Sequence, residues 1–170
     1  MGKTDSRLLA EISISIALAS VLSQIRIYTM PYGGSVTLGS MIPLLLISLR
    51  RDLKTGITTG VIYGLVQIIL DGMIYHPVSM LLDFPLAFGV IGIVSLFKKR
   101  PMIGTVIVFI LRFLCHFTSG VVFWWMYAPE GMSPIVYSAI YNGGYIFAEM
   151  VISLVFIYAL MRRNVLNMNL

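Results

Sequence analysis

Six apolar runs, separated by clusters of lysine and arginine on every second connection, constrain this chain more than any other feature. The runs fall at about 8–27, 36–49, 55–75, 77–97, 102–127 and 134–161. Their lengths suit membrane-spanning helices, the second being the shortest. Lys3 and Arg7 precede the first run. Arg50, Arg51 and Lys54 separate the second from the third. Lys98, Lys99 and Arg100 separate the fourth from the fifth, and Arg162 and Arg163 follow the sixth. Ten of the twelve Lys and Arg residues therefore share one side of the membrane, and the positive-inside rule makes that side cytoplasmic. The expectation is an all-α membrane protein: a six-transmembrane-helix bundle with both termini cytoplasmic, forming one integral membrane domain over residues 1–170. A five- or seven-helix arrangement would put basic clusters on both faces.

Composition agrees. A chain that is 58% hydrophobic and 11% charged carries more apolar surface than a soluble domain of this size hides. The expected location is a cell membrane, crossed several times. The net charge of +5 follows from topology, so the partner it implies is a lipid bilayer and not a nucleic acid. The segment Met1–Arg7 leads into the first span with no cleavage-site pattern, which argues against a removed signal peptide. Cys115 is the one cysteine and has no internal disulfide partner.

Charged and polar residues inside the runs carry the functional signal. Arg112, His116, Gly120 and Trp124 are spaced by four and share one helical face. An arginine in hydrocarbon costs about 2.5–3.5 kcal/mol on insertion scales, so such residues face a bundle interior, a partner charge or a ligand. At a rise of about 1.5 Å per residue, Asp83 lies roughly 9 Å below the outer end of its helix, Tyr137 roughly 5 Å, Asn142 roughly 12 Å and His116 roughly 15 Å, with Trp124 near the outer surface. Three helices thus place a carboxylate, an amide, an imidazole and aromatic rings in the outer half of the bundle, the makings of a pocket open to the outside. Asp83 suits an amino-heterocyclic edge or a cation. Trp124 and Tyr137 suit stacking on a flat, cationic ring. Asn142 both donates and accepts.

Each of these residues has a plainer reading. His116 also fits a helix–helix hydrogen bond, and Trp124 and Trp125 an interfacial aromatic belt. Trp125 is the better belt candidate, because Trp124 shares the His116 face. Tyr141 and Tyr145 read as packing residues. Arg112 and Glu149 fall at matching depth, roughly 21–23 Å from the outer ends, which suggests a buried ion pair; the alternative has Arg112 facing the ligand. On the first helix, Ser13 with Ala17 and Ser15 with Ala19 give two small-xxx-small pairs, for internal packing or for docking another membrane protein. The outer connections at 28–35, 71–77 and 128–134 either cap a cavity or only join helices. The chain has no phosphate-binding loop, no His-Glu-x-x-His and no evident nucleophile–base arrangement. It reads as a binder and not an enzyme, with no cofactor and no metal site. A small intramembrane enzyme using Asp83 and His116, and a scaffold without a ligand, are the competing classes.

Several stretches resemble the thiamin-specific substrate-binding (S) components of energy-coupling factor transporters. They are PYGGSV from Pro31, IPLLLISLR from Ile42, GITTG from Gly56, HPVSMLLDF from His76, HFTSGVVFW from His116 and YSAIYN from Tyr137. The last three are specific when they occur in this order. The resemblance implies a six-helix bundle that captures vitamin outside and delivers it inward, powered by a coupling transmembrane subunit and two ATP-binding-cassette ATPases in a bacterial plasma membrane. It implies ligand contacts from Asp83 and Phe84 on the fourth helix, Arg112, His116 and Trp124 on the fifth, and Tyr137 and Asn142 on the sixth, with aromatics at Tyr63 and Tyr75. It implies docking of the coupling subunit through Ser15 and Ala19. Where some members have a tryptophan in the first outer loop, this chain has Gly33 and Gly34. Where some have Glu then Tyr, it has Asp83 and Phe84. A shorter acid and a lost hydroxyl leave open a related pyrimidine, such as hydroxymethylpyrimidine, in place of thiamin.

Overall fold

A computed structural model describes residues 3–71 and 76–163, with side chains from Ser6 onward. Helix α1 spans Lys3–Gln24, followed by a two-stranded antiparallel hairpin, β1 (Arg26–Thr29) and β2 (Ser35–Thr37). Helices α2 (Ile42–Arg50) and α3 (Leu53–Asp71) come next. A continuous helical run, α4, covers Pro77–Phe97. Helices α5 (Pro101–Phe123) and α6 (Pro134–Arg162) complete the bundle. Proline opens α2, α4, α5 and α6 within their first two positions, where its missing N–H costs nothing. Ser133 caps α6 by accepting the Val136 N–H at 3.3 Å, and Asp52 accepts the Thr55 N–H at 3.2 Å at the start of α3.

Among the described residues, five helices are long and apolar enough to cross a membrane: α1, α3, α4, α5 and α6. The apolar run at 36–49 departs from the helical expectation. It resolves into strand β2, a turn and the nine-residue α2, too short to span alone against the ~20 residues a helical crossing needs. Ion pairs show where this segment travels. At one end of α1, Glu11 binds Arg51 in a fork of 2.8 and 2.5 Å and meets Arg7 at 3.4 Å. Beyond the other end, Arg26 pairs with Asp71 at the end of α3. The chain therefore returns from the Arg26 end to the Arg51 end through a passage that is partly extended. Residues 36–41 combine Gly39, with φ of +80°, with Thr37 and Ser40. These break the helical period that the apolar content suggested.

A seam of glycines holds α3 against α4. Gly64, Gly60 and Gly56 lie at four-residue spacing and face Phe84, Phe88 and Gly92 in turn. A methyl group on Gly60 would sit 2.2 Å from the Phe88 carbonyl oxygen, and one on Gly64 2.7 Å from that of Phe84. The backbones touch because no side chain stands between them. The contact fixes the level of Asp83 and Phe84, which lie in a widened, π-type turn at Leu82–Leu86 with Pro85 inside it. Proline removes a backbone donor, the turn widens, and wide turns of this kind recur at binding sites.

Below this level the core is formed by Leu44, Leu45, Phe88, Ile91, Val94, Val108 and Phe109. Tyr63 belongs here, 1% exposed, with its ring edge-on to Phe88 at 4.8 Å. Ala19 is also fully buried in this core and Ser15 is half-buried, whereas Ser13 and Ala17 are exposed. On the free chain, the accessible small-residue row of α1 is therefore Ser13–Ala17 and not Ser15–Ala19.

Candidate ligand-binding site

A cavity of about 180 Å³ opens beneath the β1–β2 connection, between α3, α4, α5 and α6. Of the residues singled out from the sequence, Asp83, Phe84, Arg112, His116, Trp124, Tyr137 and Asn142 all line it. Tyr63 does not, because the glycine seam draws it into the core, and Tyr75 lies outside the described residues. Tyr141 and Tyr145, read as packing residues, also line the cavity. Trp125, 57% exposed, points away from it.

One wall is polar. Asp83 Oδ1 lies 3.0 Å from His116 Nδ1, and Asp83 Oδ2 accepts from the hydroxyls of Ser119 at 2.5 Å and Ser79 at 3.0 Å. Three donors around one carboxylate satisfy most of its lone pairs, as burial requires. With Nδ1 spent on Asp83, His116 keeps Nε2, which is buried and has no hydrogen-bond partner among the described residues. Such an atom in a cavity-lining residue is capacity for a ligand hydrogen bond.

The helix row explains how α5 and α6 come close enough to share this wall. A side chain on Gly120 would meet Ser138 Oγ at 2.2 Å and Asn142 Nδ2 at 3.0 Å. Across that gap Ser138 Oγ donates to Phe117 O at 2.9 Å and the Asn142 amide donates to His116 O at 3.4 Å. Within α6 the Asn142 amide donates to Ser138 O and Oγ, each at 3.1 Å, and Asn142 Oδ1 accepts the Tyr145 hydroxyl at 3.2 Å. Asn142 is thus held by its own helix and its neighbour while facing the cavity.

The rest of the lining and the rim are largely aromatic. Tyr137 and Tyr141 rings lie 5.6 Å apart, and Tyr141 and Tyr145 lie 6.1 Å apart. Tyr32, in the outer connection, packs on Tyr127 at 4.2 Å, and Tyr127 reaches Trp124 at 5.7 Å. Tyr32 holds a positive φ of 66°, which is uncommon for a residue with a side chain. The Tyr141 hydroxyl donates to Pro31 O and accepts the Gly34 N–H at 3.1 Å. Gly34 permits this, since any side chain there would meet the Tyr145 ring at 2.9 Å. The Pro/Gly segment is therefore a cap over the cavity as well as a connection.

At the floor, Arg112 Nη1 binds Glu149 Oε2 at 2.9 Å, with both side chains buried. Glu149 Oε1 accepts the N–H and the hydroxyl of Thr37 at 2.9 and 2.6 Å. The pair expected from matching depth is present, and Arg112 still lines the cavity from below, its guanidinium 4.9 Å over the Phe88 ring.

Sequence reasoning missed Gln67 and Asp71 of α3, which also line the cavity. Their signal was a polar residue every fourth position near the outer end of α3. Gln67 binds Ser23 at 3.2 Å, closing the site on the α1 side. Ser79 and Ser119 were missed as well, since serine in a membrane helix carries no pattern of its own.

Comparisons with known proteins agree with this geometry. Residues 9–168 match the model of the family described as Thiamine transporter protein (Thia_YuaJ). The thiamine transporter ThiT of Bacillus subtilis is 39% identical over 163 residues, covering 85% of this chain and 84% of that protein. ThiT of Lacticaseibacillus paracasei is 30% identical over 141 residues, covering 71% and 70%. The solved structure of ThiT from Listeria monocytogenes superposes with a TM-score of 0.84 at 25% identity, covering 95% of this chain and 96% of that one. This multi-pass, mainly helical membrane chain belongs to the thiamine transporter protein family, and is a transporter and not an enzyme.

Proposed function

We propose that the chain is the substrate-capture component of an energy-coupling factor transporter in a bacterial cell membrane, binding thiamin in the capped cavity from outside. Six crossings with both termini cytoplasmic suit this reading. Delivery inward would be driven by a coupling transmembrane subunit and two ATP-binding-cassette ATPases. The accessible Ser13–Ala17 row of α1 offers the coupling subunit a close approach.

The observation that carries the reading is a polar wall and aromatic rings lining one cavity. Asp83 and His116 stand on one side with an unspent imidazole nitrogen, and Trp124 and the tyrosines of α6 bound the rest. A flat cationic ring with an amino edge satisfies both walls at once: charge and hydrogen bonding at Asp83, stacking on the rings. Ligand cavities usually measure about 300–1,000 Å³, so a two-ring ligand requires Tyr32 and Tyr127 at the rim to move apart.

Titration of the purified protein with thiamin should quench tryptophan fluorescence, because Trp124 lines the cavity. Absence of binding at micromolar thiamin would remove the ligand assignment. Asp83→Asn should weaken binding by about 1.5–3 kcal/mol, the scale of a charge-assisted hydrogen bond, and unchanged affinity would take Asp83 out of the site. Hydroxymethylpyrimidine in the same titration tests the related ligand. If it competes at equal concentration, the cavity reads the pyrimidine alone.

A further inference from the structure

Ser79 stands between the acid and the aromatic wall of the cavity. It is 2% exposed and does not itself line the cavity. Its hydroxyl oxygen accepts the indole N–H of Trp124 at 3.0 Å, lies 3.0 Å from Asp83 Oδ2 and is also 3.0 Å from the Ser119 hydroxyl. The two ends of this chain fix the direction of its hydrogen bonds. An indole only donates, and an ionised carboxylate only accepts. The serine protons therefore run towards Asp83, and the Ser79 lone pairs take the indole N–H. His116 closes the chain at the other carboxylate oxygen.

The usual role of a hydroxyl in a membrane helix is different. Such side chains return their proton to the carbonyl one turn earlier, as Ser48, Thr59 and Thr105 do here. Among the described residues, the hydrogen bonds of Ser79 Oγ are with other side chains, on α4 and across to α5. Trp124 is also the residue at which α5 ends, with φ of −111° and ψ of 14°. A helical lattice no longer fixes its side chain, so the direction of the indole depends on what its ring and N–H touch.

We propose that Ser79 is a positioning residue that sets the Trp124 ring against the Asp83 carboxylate, making acid and aromatic wall one recognition unit. This deepens the reading of the cavity as a thiamin site, and its affinity arm rests on that reading. Ser119, fully buried, supports the same carboxylate oxygen from α5. A ligand whose amino or cationic group engages Asp83 then finds the stacking surface already at the matching distance and tilt. The proposal is a case of pre-organisation, in which affinity comes from geometry fixed before binding.

The test uses the full-length protein carrying Trp125→Phe, which leaves Trp124 as the sole tryptophan. Ultraviolet resonance Raman reports the hydrogen-bonding state of an indole N–H. With Ser79 present, the band should sit at the hydrogen-bonded position. Ser79→Ala should move it to the weaker-bond position and lower thiamin affinity by roughly tenfold or more, and Ser79→Thr should restore both. Ser79→Ala combined with Asp83→Asn should lose little beyond Asp83→Asn alone, since residues in one network are not additive. A non-hydrogen-bonded indole band before any change at position 79 overturns the proposal, even if Ser79→Ala fails to fold. So does an unmoved band in Ser79→Ala, or full additivity with Asp83→Asn. The Raman arm needs no ligand, so failure of the parent protein to bind thiamin would count against the proposed function alone.

Discussion

Arg112→Ala should lower stability by about 3–5 kcal/mol, the cost of leaving one partner of a buried ion pair uncompensated. Glu149 would keep its two bonds from Thr37 but face the core with no counter-charge. A thermal unfolding midpoint measured in detergent reads this directly. Arg112→Met combined with Glu149→Gln should recover most of the loss, because an uncharged amide still offers an acceptor to Thr37 while the isolated charge is gone. If the double variant is as unstable as Arg112→Ala, the pair matters for packing and not for charge balance. Ligand affinity gives a second readout. Arg112 lines the cavity floor, so recovered stability with unrecovered binding would assign the guanidinium a contact with the ligand as well.

Gly60→Ala should have an effect of similar rank for a different reason. Its new methyl group meets the Phe88 carbonyl oxygen at 2.2 Å, and a backbone atom cannot swing aside as a side chain can. Overpacking of this kind costs about 1–3 kcal/mol or more. Because the seam sets the level of α4, the displacement should reach Phe84 and Asp83 and weaken thiamin binding too. Gly144→Ala is the control. It lies on α6, and nothing stands within 4 Å of its new methyl group. Removing a helix glycine there should stabilise by about 0.5–1 kcal/mol. Unfolding midpoints that move the same way in both variants would contradict the seam.

The long apolar runs made five of the helices legible, because a helix that crosses lipid needs about 20 apolar residues in a row. The starts of α4 and α6 lie at the prolines that mark them in the sequence, Pro77 and Pro134, whereas α5 ends at Phe123, short of the expected 127. The segment at 36–41 was not legible. Its apolar content matches a helix, and only its pairing with β1 and the bond of Thr37 to Glu149 disclose an extended path. At the site, the four-residue row on α5 brought His116 and Trp124 into view, and depth counting joined Arg112 to Glu149. Tyr63 came from the resemblance, which matches positions along the chain and not side-chain directions. It lies on α3 between Gly60 and Gly64, on the face that packs inward. Ser79 and Ser119 stayed hidden because a hydroxyl in a helix is usually silent. Ala19 and Ser13 differ only in which way α1 turns, and no single helix encodes that.

The contact of Thr37 with Glu149 has a wider consequence. Glu149 sits near the middle of the 29-residue α6, so the extended chain passing it runs through the interior of the bundle. There, every amide hydrogen outside a helix must find an acceptor within the protein, since lipid offers none. Glu149 takes the Thr37 amide, and the Thr37 hydroxyl takes that of Ser40 at 3.2 Å. One edge of β2 pairs with β1; the carboxylate thus stands in for a second neighbouring strand on its other edge, and the arginine beside it is what makes that substitute tolerable. Swapping the pair for two hydrocarbon side chains would leave the charges balanced and the backbone unsatisfied.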